Sequence, residues 1–412
     1  MADPKTLPQS HLGLAAQTSQ AEPPAGSHTG SENLSQNRPG QVGRPSQAEL
    51  LTGSGAGSKT PTLAHIARLT GVSRWVAGQV INGGRGNSRV SPEVAQRILQ
   101  TARELGYRPN LAARLLRGQR SHVLGLLVAS AGDPLTSFLV QYLNYEAIKL
   151  GCHTLISNTL GRGGVGQRQF NYYVEEFAQR RVDGVFCLVH NWLPRDRQAL
   201  LARHPNTVFF EPPDVPGAAY VGIDRRAAVQ LAVRHLAARA RQRIGLAVMT
   251  RTRPACQARL QGFRDELGAC GQAFDAQRVF VGEEHGIRFP SHNRRTRKWE
   301  FPWQRMDAAI ESLVVRQKVD AIVAHDDYWA AALIKALRRR GIRVPDDVAV
   351  VGYSNHYLAD WGDPPLTTID PRHRVVARIM ARMLETMAAG GEVATDRRAV
   401  LIRPRLIVRE ST

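Results

Sequence analysis

Residues 62–83 read TLAHIARLTGVSRWVAGQVING. Apolar residues recur at the spacing of one helical face up to Gly71, which interrupts that helix. Ser73 can cap a second helix that runs to about Asn82. Two short helices joined by a tight glycine turn are typical of a helix-turn-helix.

A third helix is predicted after this pair. Ser91 is a good N-cap, Pro92 suits the first helical position, and Gly106 ends the apolar stripe that follows. Residues 61–120 carry ten arginines against two glutamates, a far higher density than in the rest of the chain. The pattern indicates a basic three-helix head that binds DNA, or else an ordinary helical bundle whose arginines are only solvated.

The composition of the 412 residues narrows the class of protein. A net charge of +20 favours an anionic partner, with nucleic acid as the first candidate. The four cysteines form no CxxC pair, so neither a disulfide scaffold nor a zinc site is indicated. No apolar run reaches the ~18–20 residues of a membrane helix, and the first residues do not resemble a secretion signal. We therefore expect a cytoplasmic protein without membrane contact, cofactor or metal.

The composition and the apolar pattern of the chain change twice along its length. Residues 1–60 are rich in Gly, Pro, Ser and Gln and lack aromatic residues, so we expect a disordered tail. From Ser121 onward, short apolar runs alternate with amphipathic stretches, which predicts parallel sheets covered by helices on both faces. The predicted strands are 123–130, 153–159, 182–189, 206–212, 243–249, 319–327 and 348–355, and the predicted helices include 142–150, 225–240 and 330–341.

The head and the segment after it resemble the lactose-repressor (LacI/GalR) family of bacterial transcription regulators. The resemblance runs in order through TLAHIARLTGVSRWVAGQVING and VSPEVAQRILQTARELGYRPNLAARLLRGQRSHVLGLLV, and more loosely through most of residues 121–405. It implies an α plus α/β fold. A three-helix helix-turn-helix DNA-binding domain over 61–108 and a hinge helix and linker over 109–120 would precede a two-lobed, periplasmic-binding-protein-like (Rossmann-like) effector and dimerisation domain over 121–412. It also implies a homodimer, or a tetramer, on pseudo-palindromic operator DNA.

The second helix carries the candidate readers of that DNA. The resemblance places its N-terminal face in the major groove, so Arg74, Trp75 and Gln79 are expected at base edges. Ser73 and Asn82 are expected at phosphates. Trp75 is either a base or sugar contact or simply an exposed apolar residue.

The second helix also departs from the family pattern. Val76 and Gly78 stand where the family usually has Thr and Ser, so two hydroxyl contacts to phosphate are not expected. Gly78 weakens the helix by roughly 1 kcal/mol relative to Ala. Gln79 replaces the usual Arg, so the operator sequence does not carry over from other members.

The hinge supplies the remaining DNA contacts that the resemblance implies. Leu116 stands where the family places a leucine that wedges into the minor groove. It can instead be an ordinary dimer contact. Asn110 begins the hinge helix, and Arg114 and Arg117 are expected to reach phosphates.

The effector is expected in a cleft between the lobes, at the carboxyl ends of the strands. The chain would cross between the lobes near residues 222–224, 341–348 and 367–370. The positions that match the family's effector pocket are Leu135, Thr136, Arg253, Arg259 and Asp326. Arg259 offers directional donors to a hydroxyl or carboxylate, and Asp326 can accept from sugar hydroxyls or a base edge. Each of these charged residues can instead hold an ion pair.

Two ligand classes stay open. A sugar or sugar acid is the first candidate, and a nucleobase is the second. Leu135 and Thr136 stand where the family often has an aromatic residue, and Ser354 and Asn355 where two aspartates are common. Three aromatic residues can stack on a ligand or pack in the core, namely Trp192, Tyr328 and Trp361.

Two other functions compete with that of a regulator. Residues 161–166 match GxGxxG, and Asp183 lies about 20 residues on, as in an NAD-dependent oxidoreductase, although the following helix is expected to begin late. A sugar-binding transport protein would share the lobes but not the basic head. The basic segment 285–300 is interpreted as a solvated loop, with an anion-binding flap as the alternative. We predict a ligand-responsive repressor, nucleoid-associated when bound to DNA, and not an enzyme.

Overall fold

The computed structural model describes residues 61–82, 90–108, 120–129, 134–159, 164–189, 193–287, 291–293, 298–300 and 305–412. These residues form two compact units, divided between Arg108 and Pro109. The expectations for the tail and the hinge helix lie outside the described residues. Within the described ranges, every helix is too short or too polar to cross a membrane.

The first unit consists of three helices, α1 Leu63–Thr70, α2 Arg74–Ile81 and α3 Pro92–Glu104. Gly71 ends α1 in the left-handed region at φ 69°, where a residue without a side chain avoids strain. Each helix begins after a hydroxyl residue whose side chain accepts a backbone N–H of the first turn, namely Thr62, Ser73 and Ser91. The predicted helix-turn-helix, its caps and the third helix are confirmed.

A small apolar core holds these helices together. Ile66, Ala77 and Ile98, one from each helix, are fully buried. Half-buried side chains such as Val72 and Val80 pack around them. Because α2 turns Ala77 into this core, its opposite face is left to solvent.

The second unit is an alternation of strands and helices. In chain order its strands are β1 Val123–Val128, β2 His153–Asn158, β3 Gly184–Cys187, β4 Thr207–Phe210, β5 Ala219–Ile223, β6 Ile244–Val248, β7 Val279–Val281, β8 Ser291–Asn293, β9 Lys298–Glu300, β10 Ala321–Val323, β11 Ala349–Tyr353, β12 Thr367–Asp370, β13 Ala399–Ile402 and β14 Arg405–Ile407. Its α-helices are α4 Pro134–Lys149, α5 Gly164–Gln179, α6 Pro194–Arg203, α7 Arg225–Ala238, α8 Pro254–Ala269, α9 Met306–Ala309, α10 Asp327–Arg339, α11 Leu358–Trp361, α12 His373–Ala388 and α13 Thr395–Arg398. Short 3-10 turns lie at Ala276–Arg278 and Gly282–His285, and a π-helical turn, Ile310–Arg316, continues α9.

Two six-stranded sheets divide this unit into two lobes. Lobe 1 has the parallel order β13-β5-β4-β3-β1-β2. Lobe 2 has the order β14-β12-β11-β10-β6-β7, in which β14 alone is antiparallel to its neighbour. Strands such as β6 and β11 are buried along their whole length because helices cover both faces, which explains their continuous apolar runs. The predicted α/β architecture is confirmed, and β8 pairs with β9 within the basic segment 285–300.

One of the three predicted lobe crossings is wrong. The chain passes from β5 to α7, returns from β12 to α12, and passes again from β13 to β14, so the crossings near 222–224 and 367–370 lie close to real ones. Residues 341–348 instead join α10 to β11 and stay in lobe 2, because β10 and β11 pair in the same sheet. The third crossing falls between Ile402 and Arg405.

Gly71 and Gly78 of the head predict opposite effects of a substitution by alanine. A methyl group added at Gly78 would meet Leu63 Cδ1 at 3.7 Å, an ordinary contact. We expect Gly78→Ala to stabilise the head by about 1 kcal/mol, because alanine loses less backbone entropy in a helix. We expect Gly71→Ala to destabilise it by about 1 kcal/mol, because a side chain disfavours the left-handed region. Hydrogen exchange of head amides in the full chain measures both effects, and faster exchange in Gly78→Ala would contradict the first.

Candidate DNA-binding head and effector cleft

The exposed face of α2 carries the residues predicted to read bases. Arg74 and Trp75 are exposed in its first turn, with 61% of the Trp75 surface open to solvent. Gln79 is half-buried one turn after Trp75, on the same face as that ring, whereas Ala77 and Gly78 are buried. The helix therefore presents two hydrogen-bonding side chains and one aromatic ring, a combination that can contact base edges in a major groove.

The residues predicted at phosphates stand at the two ends of α2. The Ser73 hydroxyl oxygen accepts from the Val76 N–H at 3.2 Å, which leaves its own proton available to a phosphate. The Asn82 amide donates one N–H to the Gly78 carbonyl oxygen at 2.7 Å and retains a second. Both residues thus shape the helix ends and still offer a donor. The hinge residues Asn110, Arg114, Leu116 and Arg117 lie outside the described residues.

Three of the five predicted effector residues converge on His325. Arg259, in the second turn of α8, donates from Nη1 to the His325 carbonyl oxygen at 2.6 Å and lies 3.0 Å from its Nδ1. Asp326 caps α10 by accepting from the Trp329 N–H at 2.8 Å. Arg253 immediately precedes α8, and its charge acts on the same imidazole. His325 was not predicted, although it stands beside Asp326 in the AHDD stretch.

Burial and neighbouring charge set the protonation of this cluster. Burial holds the pKa of His325 well below its ordinary value, and the charges of Arg259, Arg225 and Arg253 lower it further. The imidazole is therefore neutral at pH 7. Burial also lowers the pKa of Arg259, with the charge of Arg225 as the next cause. At the edge of the cleft, burial lowers the pKa of His373 to about 4.

Arg225 links the two lobes. It begins α7 of lobe 2 and pairs at 2.7 Å with Glu211, which directly follows β4 of lobe 1. Its Nη1 also donates to the hydroxyl of Tyr353, the last residue of β11, at 3.0 Å. The guanidinium of Arg259 lies 4.3 Å from the centre of the same ring. Arg225, Glu211 and Tyr353 were not predicted, and the signal for Arg225 was its place directly after the first lobe crossing.

The other two predicted effector residues belong to lobe 1. Leu135 and Thr136 lie in the first turn of α4; the Leu135 side chain is outside the described part of the chain, and Thr136 is half-buried. Phe138, on the next turn of α4, packs edge-on against His356 of lobe 2, with ring centroids 4.9 Å apart. The start of α4 therefore lies beside the carboxyl end of β11.

A polar cavity of about 360 Å³ lies between the lobes. It is lined by Phe138, Tyr142, Ser354, Asn355, Asp370, Arg372, His373, Arg374, Val375 and Arg405. Ser354 and Asn355, which replace the family's paired aspartates, thus belong to the cleft. Of the aromatic candidates, Tyr328 places its hydroxyl 2.9 Å from His356 Nε2, Trp361 is 76% exposed, and Trp192 lies outside the described residues.

The geometry does not suit the dinucleotide-binding pattern. Gly164 begins α5 inside the GxGxxG motif, as that pattern requires, so the expectation of a late helix start is wrong and other features of the structure contradict the pattern. The preceding strand, β2, is at the edge of its sheet. The Asp183 carboxylate accepts from the backbone N–H groups of Ser121 and His122 at 2.8 and 3.0 Å, at the amino end of β3 and opposite to the glycines. Among the described residues, no cluster of His, Cys, Asp and Glu is suited to hold a metal ion.

Two family models match the chain. The model for bacterial regulatory proteins of the lacI family matches residues 62–110, and the model for a periplasmic binding protein-like domain matches residues 233–412. The HTH-type transcriptional regulator CelR of Thermobifida fusca is 31% identical over 364 residues, which cover 86% of this chain and 98% of that relative.

Two solved structures are similar over nearly the same range. A transcriptional regulator CelR–cellobiose complex is 28% identical with a TM-score of 0.58, covering 85% of this chain and 100% of the other. The lac repressor dimer bound to operator and the anti-inducer ONPF is 23% identical with a TM-score of 0.70, covering 86% and 99%, and supports the fold. The chain belongs to the LacI family of bacterial regulatory proteins and is a DNA-binding transcription regulator, not an enzyme.

Proposed function

We propose that this regulator reads a pseudo-palindromic operator with α2 and that an effector held between its lobes controls operator affinity. The exposed face of α2 carries the proposal, because Arg74, Trp75 and Gln79 lie outside the head core. Arg can pair bidentately with guanine and Gln with adenine, so these side chains are assigned to bases. Ser73 and Asn82 are assigned to phosphates.

The remaining assignments follow the family resemblance. The DNA-binding domain spans residues 61–108 and the effector and dimerisation domain 121–412, with the hinge 109–120 between them. Arg114 and Arg117 reach phosphates, Asn110 belongs to the DNA-binding hinge helix, and Leu116 wedges into the minor groove. The regulator works as a homodimer in the cytoplasm, on the nucleoid when bound to its operator, and a pseudo-palindrome matches the two-fold symmetry of such a dimer.

The effector is a sugar or sugar acid bound by Arg253, Arg259 and Asp326 of lobe 2 and by Leu135 and Thr136 of lobe 1. A cellobiose complex of a similar regulator supports this class over a nucleobase. None of these five residues lines the cavity of about 360 Å³ between the lobes, so their assignment rests on the family resemblance. Such a ligand changes operator affinity only by the difference in its own affinity for the two lobe arrangements.

Genomic DNA fragments captured by the full chain would identify the operator sequence. Variants of α2 measured on that operator then test whether its exposed face contacts bases. We expect Gln79→Ala to weaken operator binding about 5- to 150-fold. This is the cost of losing one contact between a side chain and a base, ~1–3 kcal/mol. Binding to unrelated DNA should stay the same, since a base contact adds nothing there. Fluorescence anisotropy on both DNAs measures the difference.

Gln96→Ala is the matched control, because Gln96 is an exposed glutamine on α3 of the same head. It should leave operator affinity unchanged. Operator affinity should also fall steeply with salt, with a slope of about −0.9 per phosphate contact on logarithmic axes. Equal losses for Gln79→Ala on both DNAs, or affinity that ignores salt, would contradict this mode of binding.

The ion pair between the lobes predicts that one substitution weakens the effect of the effector on operator affinity. In the unaltered regulator we expect the effector to change operator affinity by about 5- to 150-fold, a usual coupling of ~1–3 kcal/mol. Glu211→Gln should shrink that ratio severalfold, because it removes the partner of Arg225 across the lobe boundary. Glu175→Gln is the control, since Glu175 pairs with Arg203 on the surface of lobe 1. Operator titrations with and without cellobiose, then with other sugars and sugar acids, give the ratio, and an unchanged ratio in Glu211→Gln would count against the link.

A further inference from the structure

Residues 120–122, the exit segment, join the hinge to β1 and are held by the carboxylate of Asp183. One of its oxygens accepts from the backbone N–H and from the hydroxyl of Ser121, at 2.8 and 2.9 Å. The other accepts from the backbone N–H of His122 at 3.0 Å and from Nε of Arg120 at 3.2 Å. Only 6% of the Asp183 side-chain surface is exposed. Hydrogen bonds to a charged acceptor are stronger than bonds between neutral groups, so these four donors hold the segment firmly.

The backbone of the exit segment depends on being held. His122 has φ 57°, in the left-handed region, which is unfavourable for a residue with a side chain unless its surroundings stabilise it. The His122 carbonyl oxygen also accepts from the N–H of His153, the first residue of β2, at 2.8 Å. The hinge is assigned to residues 109–120 and β1 begins at Val123, so whatever fixes the exit segment fixes the point at which the hinge enters lobe 1.

Lobe 2 contains the same arrangement at a place that the hinge does not reach. Asp320 directly precedes β10, as Asp183 directly precedes β3, and each of these strands pairs with the first strand of its lobe. The Asp320 carboxylate accepts from the backbone N–H groups of Gln242 and Arg243 at 2.8 and 3.0 Å. These two residues join α7 to β6 within lobe 2. The two aspartates therefore share the task of fixing the start of a strand, and Asp183 alone of the pair also holds the end of the hinge.

We propose that Asp183 is a positioning residue for operator binding, because its carboxylate fixes the point at which the hinge enters lobe 1. This inference rests on the DNA-binding head of the proposed function. Two heads bind one operator at an effective concentration that depends on the length and stiffness of the chain that connects them. Releasing the exit segment adds three unheld residues to that connection, and operator binding must then fix their backbone again at a cost in entropy. Unrelated DNA sets no spacing between the heads, so its binding does not depend on Asp183.

Asp183→Asn tests this role in the full chain. Asparagine keeps the shape of the side chain, but it removes the charge and replaces one acceptor oxygen by a donor. Asp320→Asn makes the same change in lobe 2 and is the matched control. Fluorescence anisotropy measures affinity for the captured operator fragment and for unrelated DNA. Hydrogen exchange of the backbone amides shows whether each substitution releases the residues that its aspartate holds.

We expect faster exchange of the held amides in both variants, because each variant loses an acceptor for a backbone N–H. Operator affinity should fall about 5- to 30-fold in Asp183→Asn, the cost of fixing the backbone of one residue again. It should stay unchanged in Asp320→Asn, and affinity for unrelated DNA should stay unchanged in both. Ser121→Ala removes one of the four donors and should weaken operator binding about 2- to 10-fold, the usual effect of one hydrogen bond. This second variant keeps the test decisive if Asp183→Asn folds poorly.

Equal losses of operator affinity in Asp183→Asn and Asp320→Asn would overturn the inference, because a general loss of stability would then explain both. Unchanged operator affinity in Asp183→Asn and in Ser121→Ala would overturn it as well and would leave DNA binding through α2 in place. Unchanged exchange of the exit segment in Asp183→Asn would show that the carboxylate does not hold it. If the unaltered chain binds all DNA fragments alike, the proposed function fails together with this inference.

Discussion

The ion pair between Arg225 and Glu211 is the contact on which the two-lobed unit depends. It joins the first residue of α7 in lobe 2 to the residue after β4 in lobe 1, at 2.7 Å. Only 15% and 16% of the two side-chain surfaces are exposed, so solvent screens the pair weakly. Separating the lobes here would strand both charges, which is costly in a buried setting. Any change in the position of the lobes must therefore keep this ion pair or replace it with other contacts to both charges.

Several residues with unusual backbone conformations lie at the same boundary between the lobes. Four residues with side chains adopt positive φ there, namely Glu211 at 70°, Ser354 at 122°, Asn355 at 48° and Arg372 at 60°. Left-handed backbone is unfavourable for such residues unless the surrounding structure holds it. Glu211 is held by its pair with Arg225, and Asn355 by hydrogen bonds that its N–H and side chain make with Thr368 and Arg409. The boundary between the lobes thus combines strained turns with specific polar contacts.

How much the sequence predicts depends on how local each interaction is. The head was predictable because Ser73, Gly71 and Ser91 act within one helical turn of where they stand. The buried strands were predictable because parallel sheets need continuous apolar runs. The Arg225 contacts were not, because its partners lie 14 and 128 residues away along the chain. The false crossing at 341–348 has the same origin, since only the pairing of β10 with β11 shows that this polar segment stays in lobe 2.

The two units differ in where their charged side chains lie and in what these side chains contact. In the head, Arg74 and Gln79 of α2 lie outside the apolar core. In the second unit, two arginines are buried: Arg225 pairs with the Glu211 carboxylate, and Arg259 contacts the His325 carbonyl oxygen and the Tyr353 ring. Because linkage is reciprocal, an effector can change operator affinity only by the total difference in its own affinity for the two lobe arrangements.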